Sequence, residues 1–129
     1  MITVIANLKG GSGKSTITFN LAIWLKMKGK EVFAYDLDPQ KTLNDVAHVR
    51  KVEGIEPCLE VNLIDLHNVV HFLNRHSGDV LVDVGAGNMY AMNSAISVAD
   101  RVLILVQPSQ PDLLTTQRFR QFVSTAWNS

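Results

Sequence analysis

Residues 2–16 read ITVIANLKGGSGKST, and this stretch decides the fold. The run 2–6 is β-branched and apolar, which suits a strand buried on both faces. Residues 14–28 then take a helical period, with Gly29 as the C-cap, so the glycines of 10–13 stand between a strand and a helix. Without a Cβ, such residues let the backbone turn its N–H groups together onto one anion, and the helix N-terminus adds its dipole. Lys14 is placed to reach the outer phosphates of a nucleotide, and the hydroxyl of Ser15 can sit on Mg²⁺. The phosphate loop therefore comprises Gly10, Gly11, Ser12, Gly13, Lys14, Ser15 and Thr16.

Outward from that turn, short apolar runs alternate with helical segments, which points to a parallel α/β layer fold in one domain over residues 1–129. The first helix is expected to turn Ile17, Leu21, Trp24 and Leu25 inward. A second strand is expected at 32–36, then a short helix opened by Asp38 as N-cap and Pro39 at its first position, with Leu43, Val46 and Ala47 as its buried stripe. Pro57 restricts any strand in 54–61 to a sheet edge. Residues 62–75 read as a helix opened by Asn62, 79–84 as a buried strand, 101–106 as another, and the segment from Asp112 as a last helix carrying Phe119, Phe122, Val123, Ala126 and Trp127. Between the last two strands, Met89, Met92, Ala95, Ile96 and Ala99 follow helical spacing. A βα unit ordinarily returns to its sheet, so that last helix lacks the strand it would lead into.

Composition narrows the function classes. Hydrophobic residues make up 47% and charged residues 19%, the profile of a globular domain rather than a disordered, collagenous or disulfide-built chain. Apolar runs are too short for a membrane span and no basic leader precedes the first strand, so a cytoplasmic protein without a membrane is expected. Cys58 is the single cysteine and reads as an ordinary thiol. Twelve basic and twelve acidic side chains cancel, but unevenly: 1–52 carries eight and four, 53–112 two and eight, and 113–129 two and none. That balance argues against strong nonspecific nucleic-acid binding by this chain. Lys26, Lys28, Lys30, Arg118 and Arg120 read chiefly as solvated helix faces and ends.

The general phosphate-loop pattern calls for glycine five positions before Gly13, where this chain has Leu8. What does fit is the deviant Walker A pattern KGGxGK[ST], opened by the extra lysine Lys9. With it, AYDLDPQ (34–40), VLVDVGAG (80–87) and ADRVLILVQPSQPDLL (99–114) resemble, in order, the further motifs of the ParA/MinD family of P-loop ATPases, most closely its small plasmid-partition branch. The resemblance implies the P-loop three-layer fold with a mostly parallel sheet in the order 3-2-4-1-5. It also implies ATP and Mg²⁺ as cofactors and slow hydrolysis as a switch. Lys9, Lys14 and Asp38 become the catalytic set, with Asp38 positioning the attacking water and Lys9 reaching a partner's phosphates across a nucleotide-sandwich homodimer. Ser15, Asp36 and Asp83 become the metal set, with Asp36 an outer partner, and Gly85 and Gly87 give the turn after Asp83 its freedom. Asp38 can combine its role with that of an N-cap.

The implied partners are a second copy of the chain, a centromere-binding adaptor protein and, in a longer protein, nonspecific DNA. Family members are longer, and their later strands usually carry base recognition, dimer surface and DNA-binding charge, so the chain is expected to be truncated relative to them. Two alternatives stay open: a non-hydrolysing nucleotide-binding module, and a MinD-like regulator of division placement, for which the tail 122–129 lacks a basic amphipathic helix. His67 and His71 have zinc-compatible spacing but no third ligand, and His48 and His76 stand as isolated polar positions.

Overall fold

A computed structural model describes residues 1–7, 14–63, 68–85, 87, 89–105, 117–118, 120–121, 123–125 and 127. Lys9, Gly10, Gly11, Ser12 and Gly13 of the phosphate loop, and His67, therefore lie outside the described residues. The elements run β1 (Ile2–Asn7), α1 (Lys14–Met27), β2 (Val32–Asp36), α2 (Thr42–Val52), β3 (Val61–Asn62), α3 (Val69–Asn74), β4 (Asp79–Gly85), α4 (Met89–Ser97) and β5 (Arg101–Ile104). The strands form one sheet in the order β3-β2-β4-β1-β5, every neighbouring pair parallel, which is the order the family resemblance implies.

Strand periodicity makes the sheet two-sided. Ile2, Val4 and Ala6 of β1, Tyr35 of β2 and Val80, Val82 and Val84 of β4 share one cluster with Val69 and Leu73 of α3 and Ala91, Met92, Ala95 and Ile96 of α4. The alternate residues Ile5, Ala34 and Leu81 meet Ala22 and Ile23 of α1 and Ala47 of α2 on the other face. The sheet is thus the middle of three layers, and each of its fully buried Val, Leu or Ile side chains contributes roughly 1.5–3 kcal/mol of burial.

Several expectations about individual faces change. In α1, Thr18, Ala22 and Ile23 are buried, whereas Ile17 and Trp24 are 42% and 54% exposed. The helix is apolar on nearly every side, so spacing did not select the small residues that let it lie close on the sheet. Val46 and Met89 also face outward, while Leu43 and Ala47 are buried as expected. The helix predicted from Pro39 begins at Thr42, because residues 38–41 form a turn. Lys41 there is left-handed (φ 54°), and its N–H donates to the Asp38 carbonyl at 3.0 Å. Asn62 opens no helix: it ends β3, and its amide Nδ2 donates to the Ala34 carbonyl. The strand allowed in 54–61 is reduced to Val61–Asn62, at the sheet edge as Pro57 required. Of the helix expected from Asp112, which with Phe119, Phe122 and Ala126 lies outside the described residues, those described between 117 and 127 are helical; Val123 is buried and the Trp127 indole N–H donates to the Ala99 carbonyl at 2.8 Å.

Candidate functional site

β1, β4 and β2 end side by side at the carboxyl edge of the sheet, where open α/β folds bind ligands. Asp83 is in register with Ile5 of β1 on one side and Asp36 of β2 on the other. Both carboxylates fall on the positions that face α1 and α2, and both are buried, Asp83 completely. α1 starts opposite them. Its first residue, Lys14, is also buried, and its ammonium donates to Asp83 Oδ1 and, at 2.9 Å, to Asp38 Oδ2. Ser15 Oγ donates to the second oxygen of Asp83 at 2.8 Å. A buried carboxylate is tolerated only when charge and hydrogen bonds compensate it, and Lys14 and Ser15 supply both.

Asp38 hangs on the turn after β2. Its Oδ1 accepts the Gln40 N–H at 2.9 Å, and its Oδ2 faces Lys14. Burial pushes this carboxyl up, but the Gln40 N–H and the Lys14 ammonium outweigh burial and hold it below the usual range. Asp36 differs. Burial is the largest influence and carries it above the usual range, with the like charges of Asp83 and Asp38 adding, against the lowering effect of N–H bonds from Asn44 and Asp38. A Cβ on Gly85 would stand 2.9 Å from Asp38 Oδ2, and one on Gly87 3.1 Å from Pro39 Cγ. The two turns that leave β2 and β4 therefore touch, and glycine is what permits the approach.

Of the residues singled out in the sequence, Lys14, Ser15, Asp36, Asp38 and Asp83 are thus brought together. Thr16 is exposed one position further along α1, while Lys9, Gly10, Gly11, Ser12 and Gly13 are outside the described residues. Sequence reasoning missed the closeness of Gly85 to Asp38 and the engagement of Asp36 by backbone N–H groups, neither of which has a local signature. The oxygen donors fit Mg²⁺, which Ser15 and Asp83 would hold: a hydroxyl and one carboxylate are a typical protein share for this ion. Among the described residues no group of three or more His, Cys, Asp or Glu is arranged to hold a metal by itself. His76 is not an isolated polar position, since it stacks on Phe33 and bonds the Tyr35 hydroxyl. His48 lines a groove of about 250 Å³ with Asn44, Lys51 and Glu60.

Comparison with known proteins bears on the fold and the family. The chain is 32% identical over 114 residues to Protein ParA of Rhizobium radiobacter, an overlap of 86% of this chain and 50% of that protein, so it spans half the length of that relative. Its fold resembles a plasmid partition protein of Borrelia burgdorferi B31 bound to AMPPNP (TM-score 0.75, 19% identity, 96% of this chain and 68% of that one). It also resembles the septum site-determining protein MinD of Pyrococcus horikoshii OT3 complexed with Mg-ADP (TM-score 0.68, 22% identity, 98% and 66%). A family model for the CobQ/CobB/MinD/ParA nucleotide binding domain matches residues 3–125, and the chain belongs to that family.

Proposed function

We propose that this chain is a ParA-like ATPase switch, which binds Mg²⁺-ATP, hydrolyses it slowly and dimerises when ATP is bound, in the service of plasmid or chromosome partition. The convergence of Lys14, Ser15, Asp83 and Asp38 at the strand ends supports this reading most directly. Lys14 would exchange its carboxylate partners for the β- and γ-phosphate oxygens, while Ser15 and Asp83 would hold Mg²⁺, whose charge would offset that of the phosphates. Asp38, kept ionised, orients a water toward the terminal phosphorus. Lys9 supplies its ammonium to the nucleotide of the partner copy, acting in trans as an arginine finger does. A centromere-binding adaptor and nonspecific DNA are the partners of a longer protein of this kind.

A mixing experiment tests the reading. Lys9→Ala should retain ATP binding and lose ATP-dependent dimerisation and hydrolysis. Combined with Asp38→Ala it should regain activity, because the heterodimer contains one ATP held beside an intact Asp38 and reached by the other copy's intact Lys9. ATPase rates across mixing ratios, run beside sedimentation with a non-hydrolysable analogue, read this out. Mixtures that never exceed the sum of the separate variants, in a protein that does dimerise, overturn the trans role. ATP binding without turnover or dimerisation would instead make the chain a nucleotide-binding module.

A further inference from the structure

Asp36 lies in β2 beside Asp83, yet both of its oxygens are engaged by backbone groups. Oδ1 accepts the Asp38 N–H and Oδ2 accepts the Asn44 N–H, each at 3.0 Å. Asn44 is in the first turn of α2, where helical N–H groups have no partner inside the helix. The usual remedy is missing, since Lys41 at the N-cap position makes no side-chain bond to the helix. One buried carboxylate eight residues upstream does that work, and the same group fixes the start of the turn that carries Asp38. The chain from 36 to 44 is closed on Asp36 at two points, and Asp38 projects from the closed loop to Lys14 at 2.9 Å.

We infer that Asp36 is a positioning residue: it sets Asp38 against Lys14 through the backbone of the 36–44 loop rather than by serving the metal. The inference rests on the nucleotide-site reading above for its effect on turnover, but not for its effect on the loop. Asp36→Asn can keep one acceptor, and its amide nitrogen cannot take the other N–H. Asn44→Pro leaves the carboxylate in place and removes the donor, an N–H that has no partner inside the helix.

The experiment measures three quantities on the wild type and both variants: amide hydrogen exchange without nucleotide, turnover, and the Mg²⁺ concentration that half-saturates turnover at saturating ATP. In Asp36→Asn the Asp38 or Asn44 amide should exchange about tenfold faster or more. Turnover should fall about tenfold in both variants, with half-saturating Mg²⁺ within about twofold of wild type. The inference is overturned if Asp36→Asn raises half-saturating Mg²⁺ about tenfold and regains turnover at high Mg²⁺. It is equally overturned if exchange at both amides is unchanged, or if Asn44→Pro turns over like the wild type. Should Asp36→Asn fail to fold, Asn44→Pro decides by turnover. Should the wild type bind or hydrolyse no ATP, the nucleotide reading falls by itself, and exchange alone decides the anchor: lost protection upholds it and retained protection overturns it.

Discussion

Lys14 is buried between Asp83 and Asp38, so replacing it touches folding as well as binding. Lys14→Ala should abolish measurable ATP binding, through the loss of charge-assisted phosphate contacts worth about 2–4 kcal/mol. It should also lower stability by about 3 kcal/mol, because Asp83 is left buried without its cation. Adding Asp83→Asn should return part of the stability and none of the binding; denaturant melts and titration with labelled ATP separate the two. Gly85→Ala offers a complementary test. The added methyl meets the flexible end of Asp38, so the melting temperature should move little while turnover falls on the order of tenfold or more with ATP affinity kept. An unchanged rate would mean that Asp38 need not sit where it does. The placement of Lys14 and Ser15 was legible in the sequence because strand, glycine turn and helix fix it by local geometry, and that of Asp83 because the motif at 80–87 resembles the family's. The work of Asp36 was not, since its bond to Asn44 joins a strand end to a helix start, and no side-chain pattern announces a backbone donor.

At the level of elements, strand content was readable, strand order came with the family resemblance, and helix faces were less legible. Strand alternation marks both faces of a buried sheet, but in α1 apolar residues surround the axis, and the choice of the Thr18–Ala22 side follows from how closely a helix can approach the sheet. The start of α2 was misplaced for a related reason: Asp38 and Pro39 look like a helix opening, whereas Asp38 spends its Oδ1 on Gln40 and Lys41 then turns left-handed. That conformation strains a residue with a side chain, so Lys41→Gly should raise stability by up to about 1 kcal/mol, measurable as a shifted urea midpoint. The end of α3 makes a pH prediction. Burial keeps the Tyr35 hydroxyl protonated, with Arg75 opposing, and this donor faces His76 Nε2. Burial first, and then the Arg75 guanidinium, hold His76 below its ordinary value, with Glu31 pulling it back. The unfolded chain therefore takes up the proton first, so stability is full above about pH 7, begins to fall near about 6.5 and is lost as the pH drops through the lower value of the folded chain. His76→Gln, which still offers Tyr35 an acceptor, should flatten that slope; urea midpoints at pH 5.5 and 7.5 check it.

Across the whole molecule, a sheet covered on both faces is held by contacts far apart in sequence. The C-terminal helical residues belong to this arrangement through Val123 in the core and the Trp127 bond to Ala99. Trp127→Phe should cost about 1 kcal/mol, with the far-ultraviolet spectrum unchanged. The order of the strands has a further consequence, during synthesis. Of the strands in this sheet β1 is the first to leave the ribosome, yet its two neighbours are β4 and β5, and β4 also separates it from β2. β1 and β2 alone can nucleate no stable sheet, since they are not partners. At ordinary translation speeds of about 5–20 residues per second, β1 waits roughly 4–16 s for Gly85 to be added, and longer for it to clear the exit tunnel. Throughout that interval Ile2, Val4 and Ile5 have no strand to pair with, which leaves this apolar segment in need of a chaperone's shelter.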